Sequence, residues 1–335
     1  MSLGKLIERL AQLIPVLLGV SVIVFVMMLA TPGDPVDIML GDQQVTAEIE
    51  QALRHDMGLD LPAHERFIKF VGNALTGNFG LSYYHRQPVM SVIASRLPAT
   101  IELSLVALIF ALVVSIPLGV LAAVKKNSIL DRIATVSSLF GVSLPGFWFG
   151  ILLIMFFAVN LHILPVSGRA GFGSEVEPIT HLLLIDSLLR GRFDAFSDAL
   201  SHIILPAITL GLPMASILMR VTRTSMLDVL DRDYITFAEA KGLSRTKILI
   251  KHALKNALIP TVTVAAIETG SLLGGNMVVE TVFGWPGLGR LVVESIFVRN
   301  YPLIQAAVLF YAVTYVLLNF VADILYTVLN PRVKL

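Results

Sequence analysis

The sequence has no cysteine, which excludes disulfides, thiolate nucleophiles and Cys-ligated metals. It is also poor in charge: 15% Asp, Glu, Lys and Arg, where a soluble domain carries about a quarter. No Gly-x-x-x-x-Gly-Lys-Ser/Thr phosphate loop occurs, so nucleotide binding of that kind is excluded. Neither His-Glu-x-x-His nor Gly-x-Ser-x-Gly is found, and the seven histidines show no metal-ligand spacing. No catalytic residue and no metal site is therefore expected. What the chain has instead is apolar residues, 56% of its 335 positions, gathered into long runs. These features specify an all-α integral membrane protein.

About 20 apolar residues cross a bilayer as a helix. Six segments qualify: Leu10–Ala30, Ile101–Val124, Ile133–Val159, Ile203–Val221, Leu258–Phe283 and Leu303–Leu329. The first follows Lys5 and Arg9 like a signal peptide, but it is too long and lacks a small-x-small cleavage site. It is expected to remain as the first span. Prolines 117, 145, 206 and 213 fall inside later spans, where neighbouring helices can satisfy the backbone groups they free.

With the N-terminus in the cytoplasm, fifteen of the 25 Lys and Arg lie in inside loops and ten outside. The outside loops are the longer ones, so the bias places both termini in the cytoplasm. The chain then divides into residues 1–30 (N-terminal segment and first span), an extracytoplasmic region 31–99, and a five-helix core 100–335. That core includes a cytoplasmic loop, 222–257. Within the outside region, "TAEIEQALRHDMG" reads as a helix with Thr46 at its start and Gly58 at its end. Residues 160–202 read mainly as loop with short helices.

The cytoplasmic loop holds the most informative stretch, Asp233 to Pro260. Asp231 or Asp233 can cap a short helix through "YITFAEAK", which Gly242 is placed to end. Ser244 can cap a second helix, on which Lys247, Lys251 and Lys255 recur every fourth residue. Lipid headgroups account for those lysines. They do not account for Ala238, Ala240 and Gly242, small residues before a turn, which would let another protein approach closely.

These residues resemble a known family. "AKGL" followed by "HALKNALIP" is similar to the coupling loop of ABC-type importer permeases, more narrowly the B-type subunit of the dipeptide/oligopeptide/nickel class. "PGDP" (32–35), "LPATIELSL" (97–105), "LPVSG" (164–168), "ETVFGWPGLGRL" (280–291) and "NPR" (330–332) carry the same resemblance along nearly the whole chain. The general loop pattern has Glu-Ala-Ala with Gly at the seventh position. Counting back from Gly242 puts Thr236, Phe237 and Ala238 there, so Glu239–Ala240 is out of register. That departure is similar to the one the peptide subclass shows.

The resemblance implies a type I importer permease fold with a cytoplasmic coupling helix, in the inner (plasma) membrane of a prokaryote. It implies a heterodimer with a C-type permease, two cytoplasmic ATP-binding subunits and an extracytoplasmic substrate-binding protein. ATP and Mg would be used by those ATPases, with no cofactor on this chain and no nucleic acid among its partners. The ATPase contact would fall on Thr236, Phe237, Ala238, Glu239, Ala240, Lys241, Gly242 and Leu243.

Other polar residues admit two readings. Glu268, near mid-span, either lines a translocation path or bonds to the partner permease or an adjacent helix, and Asn276 is expected on the path. Glu280 and Asp323 lie near span ends, where structural pairing is expected, and Glu102 reads as an interfacial group. "GSLLG" (270–274) permits close helix packing. Trp285, Pro286 and Gly287 form either a membrane-boundary turn or an outer gate or binding-protein contact. The competing function class is an ion-coupled secondary transporter using Glu268 and Asp323; an intramembrane hydrolase lacks its nucleophile and base.

Overall fold

The computed structural model describes residues 3–30, 36, 40, 46–56, 58–273 and 276–329. Its named elements are helices. In order they are α1 (Leu3–Ala30), α2 (Ala47–Asp56), α3 (Ala63–Leu75), α4 (Val89–Val124), α5 (Ile129–Ser143) and α6 (Gly146–Leu153), which runs on as a π-helix, Ile154–Asn160. Then come α7 (Leu183–Leu189), α8 (Phe193–Leu230), α9 (Asp233–Ala240) and α10 (Arg245–Lys247), itself followed by a π-helix, Ile248–Leu254. The last four are α11 (Lys255–Leu273), α12 (Met277–Val282), α13 (Leu288–Phe297) and α14 (Tyr301–Leu329). Helices suit a lipid solvent because every backbone group is satisfied within the segment.

Among the described residues, three helices are long and apolar enough to cross a membrane: α4, α8 and the Tyr301–Ala322 part of α14. The α5–α6 pair passes the same test as a fourth, bent by 106°, and Ile14–Ala30 is a shorter apolar helix. The single straight span expected over Ile133–Val159 is thus corrected to a broken one. The break has a local cause. Proline disfavours α geometry in the residue before it, and Leu144 is extended at φ −78°, ψ 129°. Pro145 then starts α6. α4 runs without interruption through residues 99 and 100. The segment expected as the fifth span falls on α11 and α12, with Gly274 outside the described residues; so are "PGDP" and "NPR".

α4 and α8 form the centre of the bundle. Their shared core joins Ala99, Leu103, Ala107 and Ala111 to Ile203, Ala207, Ala215 and Leu218. Small side chains let the two backbones come close, the usual device where lipid removes the hydrophobic drive between helices. A Cβ at Gly211 would stand 2.8 Å from the Ala107 carbonyl oxygen, and one at Gly119 2.8 Å from that of Met219. Pro206 and Pro213 sit inside α8 without ending it. Hydroxyls bond back to the preceding turn: Thr209 to Leu205 O at 2.8 Å, Ser216 to Leu212 O at 2.9 Å and Thr222 to Leu218 O at 2.7 Å. Thr222 also reaches Thr261 Oγ1 at 3.0 Å and so ties α8 to α11.

α4 has 36 residues, which at 1.5 Å each is about 54 Å. Its start and its end therefore belong to opposite faces of the bundle. Ala99 packs beside Trp285 at one end, and Ala123 packs beside α9 at the other.

Candidate functional site

At the Ala123 end the chain leaves α8, turns, and forms α9. Asp233 lies in the first turn of α9 rather than capping it, since the cap position is Arg232. Ile235 and Ala238 are buried with Ala123, Met226, Ile248, Ala253 and Ala257. Asn256 Nδ2 donates to the Tyr234 hydroxyl at 3.1 Å, a second anchor from α11. Thr236, Phe237, Glu239, Ala240 and Lys241 point outward. Phe237 is 61% exposed, and Lys241 Nζ stands 4.4 Å from its ring centroid.

The C-terminus of α9 closes as a Schellman motif: Gly242 N donates to Glu239 O at 2.8 Å and Leu243 N to Ala238 O at 3.3 Å. Gly242 has φ +73°, a conformation that residues with a Cβ adopt at a cost. Space is not the constraint there, because an added Cβ would meet nothing within 4 Å. One expectation needs correction. Ala238 faces the bundle, so it anchors the helix and does not contribute to the outward surface. The Ser244 position does begin the next helix, without a side-chain cap bond. Lys247, Lys251 and Lys255 are all exposed.

Beside α9, Arg223 of α8 grips Asp131 of α5 with Nε and Nη2 at 2.5 and 2.8 Å. Asn127 N donates to the same carboxylate at 3.0 Å. This two-pronged pair fixes the first turn of α5 to α8 just ahead of α9. Nothing singled out either residue in the sequence, where they stand 92 positions apart.

At the opposite end, two of the motifs quoted above meet. Thr100 of "LPATIELSL" donates to Glu280 Oε1 at 2.7 Å and accepts from Leu288 N at 2.8 Å. Glu280 Oε2 accepts from Arg290 N at 3.0 Å. Trp285 Nε1 donates to the Ala99 carbonyl at 2.9 Å, and Arg290 Nη1 to Gly284 O at 2.7 Å. The backbone of 287–289 passes so close to the carboxylate that a Cβ at Gly287 would collide with it.

Trp285 is only 1% exposed, Gly287 is buried and Pro286 is half-buried. The indole is drawn inward because its N–H finds a partner at the Ala99 carbonyl within the packed core. Glu102 is likewise turned inward. It is buried, pairs with Arg169 at 2.7 Å and accepts from Leu184 N at 2.7 Å. Arg169 also bonds to His181 O at 2.9 Å, so the 161–182 loop is strapped to α4. The signal available in the sequence was polar Thr100 and Glu102 at the head of an apolar run.

Glu268 is half-buried and makes no hydrogen bond or ion pair among the described residues. Asn276 precedes α12 and donates to Leu272 O at 2.7 Å. Gly270 packs within the chain, with the α14 residues Leu318 and Asn319 3.6 Å from an added Cβ. The side chain of Asp323 lies outside the described residues. Among the described residues, no group of three or more His, Asp or Glu is arranged to hold a metal.

A long helical bundle with a short outward helix before its penultimate long segment is an arrangement that can be compared with known proteins. Residues 115–335 match the family described as "Binding-protein-dependent transport system inner membrane component", and residues 3–104 match the N-terminal model of that family. The chain belongs to this family. It is 42% identical over 332 residues to the di/tripeptide transport system permease protein DppB of Pseudomonas aeruginosa, covering 99% of each chain. Against the dipeptide transport system permease protein DppB of Escherichia coli K12 it is 42% identical over 332 residues, covering 98% of each. The glutathione transport system permease protein GsiC of the same strain is 39% identical over 332 residues, with 99% of each covered. Among solved structures, inward-facing MetNI methionine ABC transporter chains align at TM-scores of 0.51 and 0.53 with 19% identity. They cover 72% and 73% of this chain and 97% and 99% of theirs, and show a shared fold.

Proposed function

We propose that the chain is the B-type permease subunit of an ATP-driven importer for di- or oligopeptides. It would supply half of the translocation path while ATP is hydrolysed, with Mg, on separate chains. The observation that carries this reading is α9: a short helix anchored by Ile235 and Ala238, ended by Gly242, and presenting Thr236, Phe237, Glu239, Ala240 and Lys241 outward. A packed base with an exposed aromatic tip is suited to transmit force from a docked partner into α8 and α11. We assign that partner as an ATPase subunit and α9 as the coupling helix. The names of the full-length relatives support the peptide class.

In this reading six spans cross the prokaryotic inner membrane, with both termini and α9 in the cytoplasm. A C-type permease completes the heterodimer, two ATPases sit below it and a binding protein delivers substrate from outside. Lys247, Lys251 and Lys255 lie near anionic headgroups of the inner leaflet. Glu268, half-buried and without a partner among the described residues, lines the path, with Asn276 beside the helix break above it. A gate role at the 285–287 turn is left to movement of the whole segment, since Trp285 itself is interior.

The test is Gly242→Val, which forces a β-branched residue into φ +73° without meeting any neighbour. Uptake should be lost while the chain still inserts, with stability lowered only by the local backbone strain of the turn, about 1–3 kcal/mol. Normal uptake by this variant would refute the docking role of the turn.

A further inference from the structure

A cavity of about 700 Å³ lies between the end of α1, the α2–α3 region and the start of α14. Sites for small molecules fall in this size range. Its apolar wall includes Phe25, Met28 and Phe70, and its polar wall includes Arg66, Lys69 and Arg86. No Asp or Glu lines it among the described residues. None of the three cations pairs with a carboxylate among the described residues. Asp60, whose charge reaches Lys69, is already bonded to His55 at 2.8 Å. Among the described residues the cavity is therefore cationic on one side and greasy on the other.

Its place in the fold narrows the ligand. Phe25 and Met28 end one apolar helix, while Tyr301, Pro302 and Gln305 begin another, and Gln305 Nε2 reaches Met28 Sδ across the cavity. Two oppositely running spans share that level, so the cavity sits at a membrane boundary. α3 lies over it with its rings on α1: Phe67 and Phe70 are 5.3 and 6.1 Å from Phe25. α3 has no buried residue and exposes Ile68 at 67% and Leu75 at 85%. An amphipathic helix with a bare apolar face and basic side chains is the form that lies in the headgroup layer.

We propose that this cavity is a site for an anionic phospholipid, its phosphate held by Arg66 and Lys69 and an acyl chain lying along Phe25, Met28 and Phe70. The lining residues are this chain's own, and the site does not depend on which solute the importer carries. A bound lipid would brace α3 and the region before α4 against the α1–α14 pair.

The test uses the full chain reconstituted in nanodiscs of equimolar phosphatidylglycerol and phosphatidylcholine, extracted mildly and weighed by native mass spectrometry. The expected result is selective retention of phosphatidylglycerol, lost in the Arg66→Gln/Lys69→Gln variant and kept in Arg190→Gln. Both substituted side chains reach solvent, so the variant folds; Phe70→Ala provides a second arm and should shorten retention without changing headgroup preference. Equal retention of the two lipids, or unchanged retention in the double variant, overturns the proposal. Displacement of the retained lipid by soluble leucyl-leucine would also overturn it, by showing a site for free carboxylates.

Discussion

Thr100 Oγ1 and Glu280 Oε1 lie 2.7 Å apart, joined across 180 residues of sequence in a buried bond. The same hydroxyl accepts from Leu288 N, so one threonine serves the carboxylate and the loop that folds over it. Thr100→Val removes both bonds, leaving Leu288 N without this acceptor and the Glu280 carboxylate with only its backbone donors such as Arg290 N. The expected loss is about 1–3 kcal/mol, read by SDS titration in mixed micelles. Gly287→Ala should destabilise as well, since its Cβ would collide with the Glu280 carboxylate.

The Asp131–Arg223 pair is half-buried, with side-chain exposures of 6% and 24%. Removing one partner strands the other. Asp131→Asn and Arg223→Gln should each cost about 3 kcal/mol, near the low end for buried pairs. The double variant should cost clearly less than the two added together. A double-mutant cycle measured by the same titration checks this; additive losses would show that the pair is not coupled.

The two tryptophans sit in opposite environments: Trp148 is 46% exposed on α6, and Trp285 is 1% exposed. With the chain reconstituted alone in brominated lipid, the Trp285→Phe variant, which retains Trp148, should be strongly quenched. The Trp148→Phe variant should be quenched little. Trp285→Phe also deletes the bond to the Ala99 carbonyl and should cost about 1 kcal/mol.

Asp186 orders the loop before α7. Burial raises its carboxyl, but bonds from the Thr180 hydroxyl and from the Thr180 and Ile179 amides outweigh burial and hold it below the usual carboxylate range. A depressed folded value stabilises above the unfolded value and is lost as pH falls through the folded one. Amide exchange at 179–180 should therefore stay slow near neutrality and speed up only in acid below the ordinary Asp range. In Asp186→Asn that acid step should vanish.

Much of this fold was legible because lipid imposes long apolar runs and glycine marks helix ends. α2 begins after Thr46 and ends before Gly58, and α9 ends at Gly242, where local chemistry placed them. The α5–α6 bend was missed because Pro117, Pro206 and Pro213 are absorbed by their helices while Pro145 starts a new one. Local sequence does not distinguish those cases; packing does. Pairing of Glu280 was expected, but the specific partners of Glu102, Glu280 and Trp285 were not legible, for a related reason. Their partners Arg169, Thr100 and Ala99 lie 67, 180 and 186 positions away, beyond the reach of any helical period. Ala238 was credited to a surface because smallness alone does not say which way a residue faces.

The central claim is that ATPases, not an ion gradient, drive transport through this chain. It is tested by dipeptide uptake into proteoliposomes holding the chain with its partner permease, ATPases and binding protein. Uptake should require ATP, should be absent with a proton gradient alone, and should fail when the ATPases are omitted. Gradient-driven uptake by the chain alone, abolished by Glu268→Gln, would contradict the account.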